Sequence, residues 1–319
     1  MVQRDRQHHS SQLFYALDPR QQNPLYLKEA FNSQFPQYDW EQIAFTVVIN
    51  LPELNDSPST PAGYYGLTGF NHRGNAVIYP ASIIKLFYLV AAHHWLEAQL
   101  MADSPELQRA IADMIIDSSN DATSLVIDTI TNTTSGPALQ PSEFKAWQRQ
   151  RNQINDYFQS FHWPELLSIN ANQKTWGNGY YGREHFFVKP DRSGRNALTT
   201  DAVARLMTAI IFHQILNRDR CQQMMKLLQR PLTQIKAPGP GEENQITDFI
   251  GSTLPQDYQL WSKAGWTSQV RHDAAYIRSP QGASAIVVIF TEGEDLARDR
   301  QVIPFVAGEI TNLIFQLPW

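Results

Sequence analysis

The apolar positions along the chain change period twice, which separates strand-like ends from a helix-like middle. Ala44-Phe45-Thr46-Val47-Val48-Ile49-Asn50-Leu51 is rich in β-branched and aromatic residues and stops at Pro52, so it predicts a strand. Asn55 to Gly63 is Pro/Ser/Thr-rich and reads as a turn, Tyr64 to Asn71 as the hairpin partner, and Ala76 to Tyr79 as another short strand. From Ile83 to Trp95 the pattern is helical and nearly all apolar until His93 and His94, which predicts a helix buried on all sides. Helical spacing continues over Ser104 to Ile116, breaks at Asp117-Ser118-Ser119-Asn120-Asp121 and resumes over Ala122 to Ile130. Glu143 to Phe161 predicts a polar helix; Thr199 or Thr200 caps another that reaches Leu216, and one more spans Cys221 to Leu228. Asn170 to Arg195 is glycine-rich and aromatic, a long loop of the kind that walls a site. Strand patterns return at Leu260 to Gly265, Val270 to Arg278 and Ala283 to Thr291, before a closing helix over Arg298 to Phe315.

Two strand blocks thus bracket a helical middle, and the arrangement predicts an α+β fold: an antiparallel sheet built from both chain ends, with an all-helical part between. The expected boundaries are an N-terminal extension over 1–40 that packs on the core, an α/β part from 41–78 and 258–319, and an all-α part over 79–257. The last contains the long site loop at about 170–196.

The 319 residues are 42% hydrophobic and 18% charged, with 26 basic against 31 acidic residues and a net charge of −5. That balance gives no footprint for nucleic acid or an anionic membrane, and no apolar run reaches spanning length. Cys221 stands alone, so no internal disulfide forms, and it reads as a small core residue. His8 and His9 have no further ligand at metal spacing, and no metal or cofactor is implied. Met1 to His9 contains no hydrophobic signal region, so the chain reads as cytoplasmic as written, or as periplasmic or secreted if a leader was removed.

One position in the apolar helix stands out. Ser82 opens it and Lys85 follows one turn on, so hydroxyl and amine share a face. A buried lysine kept neutral can take the proton of a serine nucleophile. Ser82 as a helix cap and Lys85 as a snorkelling side chain is the other reading of the same residues. Likewise, Ser118 or Ser119 caps the second helix of the broken pair, or the break aims Ser118 and Asn120 into a cleft.

In order along the chain, Ser82-Ile83-Ile84-Lys85, Ser118-Ser119-Asn120 and Lys263-Ala264-Gly265 resemble the motif set of the penicillin-recognising serine hydrolases, closest to class A β-lactamases. The resemblance spans roughly residues 42 to 319. It implies the β-lactamase/DD-peptidase-like fold, with a Ser82 acyl-enzyme, Lys85 as base and Ser118 relaying a proton to the leaving nitrogen. It further implies substrate contacts from Asn120, Lys263 and Gly265, and an oxyanion hole from the backbone N–H groups of Ser82 and Trp266. Arg271 is implied as a partner for a substrate carboxylate. Three departures are visible: Ala264 occupies the place of a hydroxyl, for which Thr267 is the substitute; Ser119 replaces the usual, structural aspartate; and the loop glutamate, Glu184, is followed four residues on by Val188 rather than asparagine. Glu184 is the candidate for activating the deacylating water. The implied partner is a small acyl substrate, a β-lactam or another peptide or ester, and the implied activity is hydrolysis of β-lactam amides. An esterase, amidase or peptidase, or a non-catalytic binding protein on the same scaffold, is the alternative; the oligomeric state stays open.

Overall fold

The computed structural model describes residues 13, 15–16, 23–50, 67–176, 179–234 and 244–315. The readings made above for His8 and His9, for the 55–63 turn and for Tyr64 to Gly66 lie outside the described residues. Seven strands, β1 (Tyr15–Ala16), β2 (Ile43–Asn50), β3 (Leu67–His72), β4 (Gln229–Arg230), β5 (Gln259–Trp266), β6 (Val270–Arg278) and β7 (Ser284–Glu292), form one sheet in the order β1-β3-β2-β7-β6-β5-β4. All neighbours are antiparallel except β1 and β3. The fold is α+β, with the sheet drawn from both ends of the chain. Strand β2 lies directly against β7, Val47 opposite Val287.

Both sheet faces are covered, so β2 and β7 read as nearly unbroken apolar runs. Alternation then sends successive side chains into two different cores. Ala44, Val48, Ala274, Ile286, Val288 and Phe290 pack with the Lys85–Glu97 helix and the helical middle. Val47, Ile49, Ala275, Ile277, Val287 and Ile289 pack with the closing helix, Val302–Phe315, through Val306 and Ile310. The Asn23–Gln34 helix belongs to this second core, because Leu27 and Phe31 are buried there and Phe35 stacks edge-on against Phe305.

Several elements depart from their expected form: the helix expected to reach Leu216 stops at Ile211, and the closing helix starts at Val302 rather than Arg298. The polar helix is two, Pro141–Arg151 and Gln153–Gln159, divided at Asn152, whose side chain accepts hydrogen bonds from Asn155 (3.3 Å) and Asn172 (2.7 Å). The long loop carries a short helix, Gly182–Val188. The short strand expected over Ala76 to Tyr79 is a single bridge between Ile78 and Leu198.

Candidate active site

The approach to Ser82 is held from below. The Thr291 backbone N–H donates to Nδ1 of buried His272 (3.2 Å), which leaves the proton on Nε2 to donate to the Tyr79 carbonyl (2.9 Å). Burial lowers the His272 pKa to about 4, so this neutral tautomer persists at ordinary pH. Past Pro80 the chain takes a positive φ of 46° at Ala81, a left-handed conformation that ordinary side chains seldom adopt. Ser82 lies in a 3-10 turn, Ala81–Ile84, and the α-helix begins only at Lys85. With three residues per turn, this winding brings residues i and i+3 nearer to eclipse than the expected α-helix does.

Lys85 is fully buried and reaches the break between the Pro105–Ile116 and Asn120–Thr131 helices. Its Nζ lies 2.5 Å from the Ser118 carbonyl, 2.9 Å from Asn120 Oδ1 and 3.1 Å from Ser118 Oγ. The break divides the roles of its two serines. Ser119 caps the second helix by accepting from the Ala122 N–H (3.2 Å), and Ser118, at φ 55°, turns to the lysines. Lys263 Nζ approaches the same Ser118 hydroxyl at 3.0 Å from the strand side.

Burial lowers the Lys85 pKa to about 7. Lys263, also buried, is held well below its usual value by desolvation first and by Lys85 and Arg230 next.

Strand β5 supplies the opposite wall. The Thr267 N–H donates to the Val270 carbonyl (2.9 Å), and alternation in an antiparallel ladder then directs the Ala264 and Trp266 N–H groups to the outer edge of β5. The Ala264 N–H meets Gln245 Oε1 there (3.3 Å). Gly265 lies against the Ser82 turn, where a β-carbon would stand 2.6 Å from Ser82 N and 2.9 Å from Ile83 N. The edge bearing the Trp266 N–H is thereby placed beside the Ser82 backbone.

Three candidates are positioned otherwise. Glu184 is fully buried, and its contacts are Arg151 (3.0 Å and 3.4 Å) and the Ser135 hydroxyl (2.7 Å), with no hydrogen bond to Ser82 or Lys85 among the described residues. Arg151 also binds Asp128 (3.3 Å), which takes Lys174 Nζ at 2.5 Å. Two acids and two bases thus tie the loop to the helical part. Arg271 pairs across the ladder with Trp266, and that register puts it on the same sheet face as Ala264, away from Lys263 and Gly265. Its guanidinium lies 4.2 Å from the Phe249 ring centroid, with 2% of the residue exposed. Thr267 sits exposed in the β5–β6 turn, its hydroxyl accepting from the Gln269 N–H (3.1 Å).

Gln245 and Asp273 were not foreseen. Gln245 Oε1 accepts from Lys263 Nζ at 2.5 Å, and its Nε2 donates to the carbonyls of Ile115 (3.2 Å) and Ile116 (2.7 Å). It joins β5 to the helix that ends before Ser118. Asp273 accepts from the Ile250 N–H (3.0 Å), and burial raises its pKa to about 7. An acid inside an apolar strand was a visible signal for Asp273; a glutamine in a loop offered none. Among the described residues no group of three or more His, Cys, Asp or Glu side chains is arranged to hold a metal, and no helix is long and apolar enough to cross a membrane.

Solved structures share this fold. A beta-lactamase from Sphaerobacter thermophilus is 18% identical with a TM-score of 0.62, covering 92% of this chain and 98% of that one. A mutant of PBP-A, solved as an acyl-enzyme complex with penicillin G, is 16% identical with a TM-score of 0.60, covering 92% and 97%. A beta-lactamase from Streptosporangium roseum is also 16% identical at 0.60, covering 93% and 99%. No curated protein sequence matches the chain. The profile described as the beta-lactamase enzyme family matches residues 95–316, a stretch that begins after Ser82 and Lys85 and takes in Ser118, Asn120 and the β5–β6–β7 sheet. With more than half of its length matched, the chain belongs to the beta-lactamase enzyme family.

Proposed function

We propose that this protein is a serine hydrolase that opens β-lactam-type amides through an acyl-enzyme on Ser82. The observation that carries the reading is the convergence of Lys85 and Lys263 on one hydroxyl, Ser118 Oγ, at 3.1 Å and 3.0 Å. A neutral Lys85 amine has two N–H bonds and one lone pair. Donating to the Ser118 carbonyl and Asn120 Oδ1 uses both N–H bonds and leaves the lone pair to accept a hydroxyl proton.

In the proposed sequence Ser82 Oγ attacks the amide carbonyl and its proton passes to Lys85. The oxyanion is met by the N–H groups of Ser82 and Trp266, whose placement beside each other depends on the close approach of Gly265. Ser118 gives its proton to the leaving nitrogen and regains one from Lys85, while Lys263 holds the Ser118 oxygen in place. Asn120 lines the same side, its Oδ1 accepting from Lys85 Nζ. Glu184 belongs to the loop's ion-pair network in this reading, not to the deacylation step. Water attack on the acyl-enzyme is therefore slow, and the PBP-A complex offers a precedent for a trapped penicillin acyl group on this fold.

The test is stopped-flow hydrolysis of nitrocefin together with intact-mass measurement after penicillin G, on the wild type and Ser82→Ala. Expected is a stoichiometric burst, a slow steady state and an adduct absent from Ser82→Ala. An adduct with a fluorophosphonate alone would move the assignment to an esterase, amidase or peptidase. No adduct with either probe would leave a binding protein on this scaffold.

A further inference from the structure

We propose that Gln245 sets the specificity of the Ser82 site: it closes the outer edge of β5 at Ala264, so that a substrate pairs with this strand only at Trp266 and carries a short leaving group. The substrate class is an acyl donor with an extended, peptide-like acyl part and a leaving part of about one residue. The inference rests on the acyl-enzyme reading of Ser82 given above.

An open strand edge takes up extended chains, because its outward N–H and C=O groups lack partners. Strand β4 covers this edge of β5 only as far as Trp261. The outward-facing residues that follow are Ser262, Ala264 and Trp266, and Ser262 is fully buried. At Ala264 both backbone groups are taken: the N–H donates to Gln245 Oε1 (3.3 Å) and the carbonyl accepts from Lys263 Nζ (2.7 Å). At Trp266, which is only partly buried, neither group meets a protein partner among the described residues.

The closure is fixed, because a side-chain amide has two donor and two acceptor positions and Gln245 uses all four. Its Oε1 accepts from Lys263 Nζ and the Ala264 N–H, and its Nε2 donates to the Ile115 and Ile116 carbonyls. Arg230 of β4 donates to the same Ile115 carbonyl (2.9 Å), which ties the covered end of the edge to the Gln245 closure. The direction of the substrate follows from the two serines. Ser82 lies against Gly265, and Ser118, which protonates the leaving group in the proposed sequence, is held by Lys263. The leaving part therefore runs from Gly265 toward Ala264 and Gln245, a distance of roughly 3.3 Å along the strand, and the acyl part runs toward Trp266.

The experiment measures acylation of the full chain by benzoylglycyl thioesters, with the burst of released thiol read by a disulfide dye and the Ser82 adduct by intact mass. The leaving groups are mercaptoacetamide and mercaptoacetyl-glycinamide, both neutral, so that only length differs; benzoylglycylglycyl mercaptoacetamide lengthens the acyl part instead. Expected is acylation about tenfold slower with the longer leaving group, the cost of displacing a Gln245 hydrogen bond, and a change within about threefold with the longer acyl part. In Gln245→Ala the two leaving groups come within about threefold of each other. Each ratio compares two substrates on one protein, so weaker support of Lys263 in the variant slows both alike and cancels. Equal rates for the two leaving groups on the wild type, an equal loss on lengthening the acyl part, or an unchanged ratio in folded Gln245→Ala would each overturn the proposal and leave the Ser82 reading standing. The wild-type comparison decides by itself if the variant does not fold. No adduct with any of the thioesters would remove the Ser82 reading and this one with it.

Discussion

Gly265 and the Ser82 backbone approach so closely that strand and helix share a single van der Waals surface. A β-carbon on residue 265 would stand 2.6 Å from Ser82 N, inside any real contact distance. Opposite Gly265 in the ladder, His272 grips the Tyr79 carbonyl and fixes the turn from the other side. The geometry of the proposed oxyanion hole is therefore set by an absent side chain and a neutral imidazole.

Gly265→Ala pushes the strand or the turn outward, because the atoms it meets are backbone and cannot swing away. A displacement of this kind costs about a hundredfold in the acylation rate, and overpacking costs about 1–3 kcal/mol of stability. Burst kinetics with nitrocefin and denaturant unfolding read the two effects separately; wild-type burst rates in Gly265→Ala would refute the close-packed arrangement.

Lys85 serves the proposed chemistry at the expense of the fold. Its pKa falls from 10.5 to about 7 on folding, so between those values the unfolded chain holds the extra proton and stability rises with pH. Replacing Lys85 with Met removes that penalty and stabilises the protein by up to about 4 kcal/mol at pH 7, with the gain vanishing above pH 10.5. The same variant forms no acyl-enzyme. In the wild type the burst rate climbs as pH passes through about 7, where Lys85 loses its proton. Urea unfolding and stopped-flow pH profiles check both halves.

His272 works in the opposite pH range. Its pKa is lowered from 6.5 to about 4 by burial, so its contribution is complete above 6.5 and is lost as pH falls towards 4. That loss amounts to about 3 kcal/mol for the single group. His272→Gln abolishes this component: the gap in unfolding free energy between wild type and variant narrows by about that amount from pH 7 to pH 4. A gap independent of pH would contradict the assignment of a neutral, buried ring.

Glu184→Gln distinguishes a structural carboxylate from a deacylation base. With Arg151 buried and its ion pair weakened, stability falls by about 3–5 kcal/mol. The burst amplitude and the slow steady-state rate stay within a few-fold of the wild type. A collapse of steady-state turnover with unchanged thermal stability would instead make Glu184 the water-activating group.

Much of the site is local and therefore legible in the sequence. The apolar run after Ser82 announces a buried helix, and a lysine inside it announces a perturbed amine. Thr199 and Ser119 cap their helices by accepting from Ala202 and Ala122, as short-range chemistry requires. The strand periods of Ala44 to Asn50 and of 260–291 describe a sheet with two covered faces. All of these depend on neighbours within a few residues.

What the chain could not announce depends on partners far apart in sequence. Glu184 is identical on paper whether it faces Ser82 or Arg151, and only the packing of the loop on the Pro141–Arg151 helix selects Arg151. Arg271 reads as a substrate ligand until the ladder register places it with Ala264, over Phe249. Gln245 becomes a support for Lys263 only because its segment closes between β5 and the helix ending at Ile116. Sequence determines the period and the chemistry of each element; tertiary structure decides which buried polar group meets which, because an enclosed charge accepts only the partner that packing brings within about 3 Å.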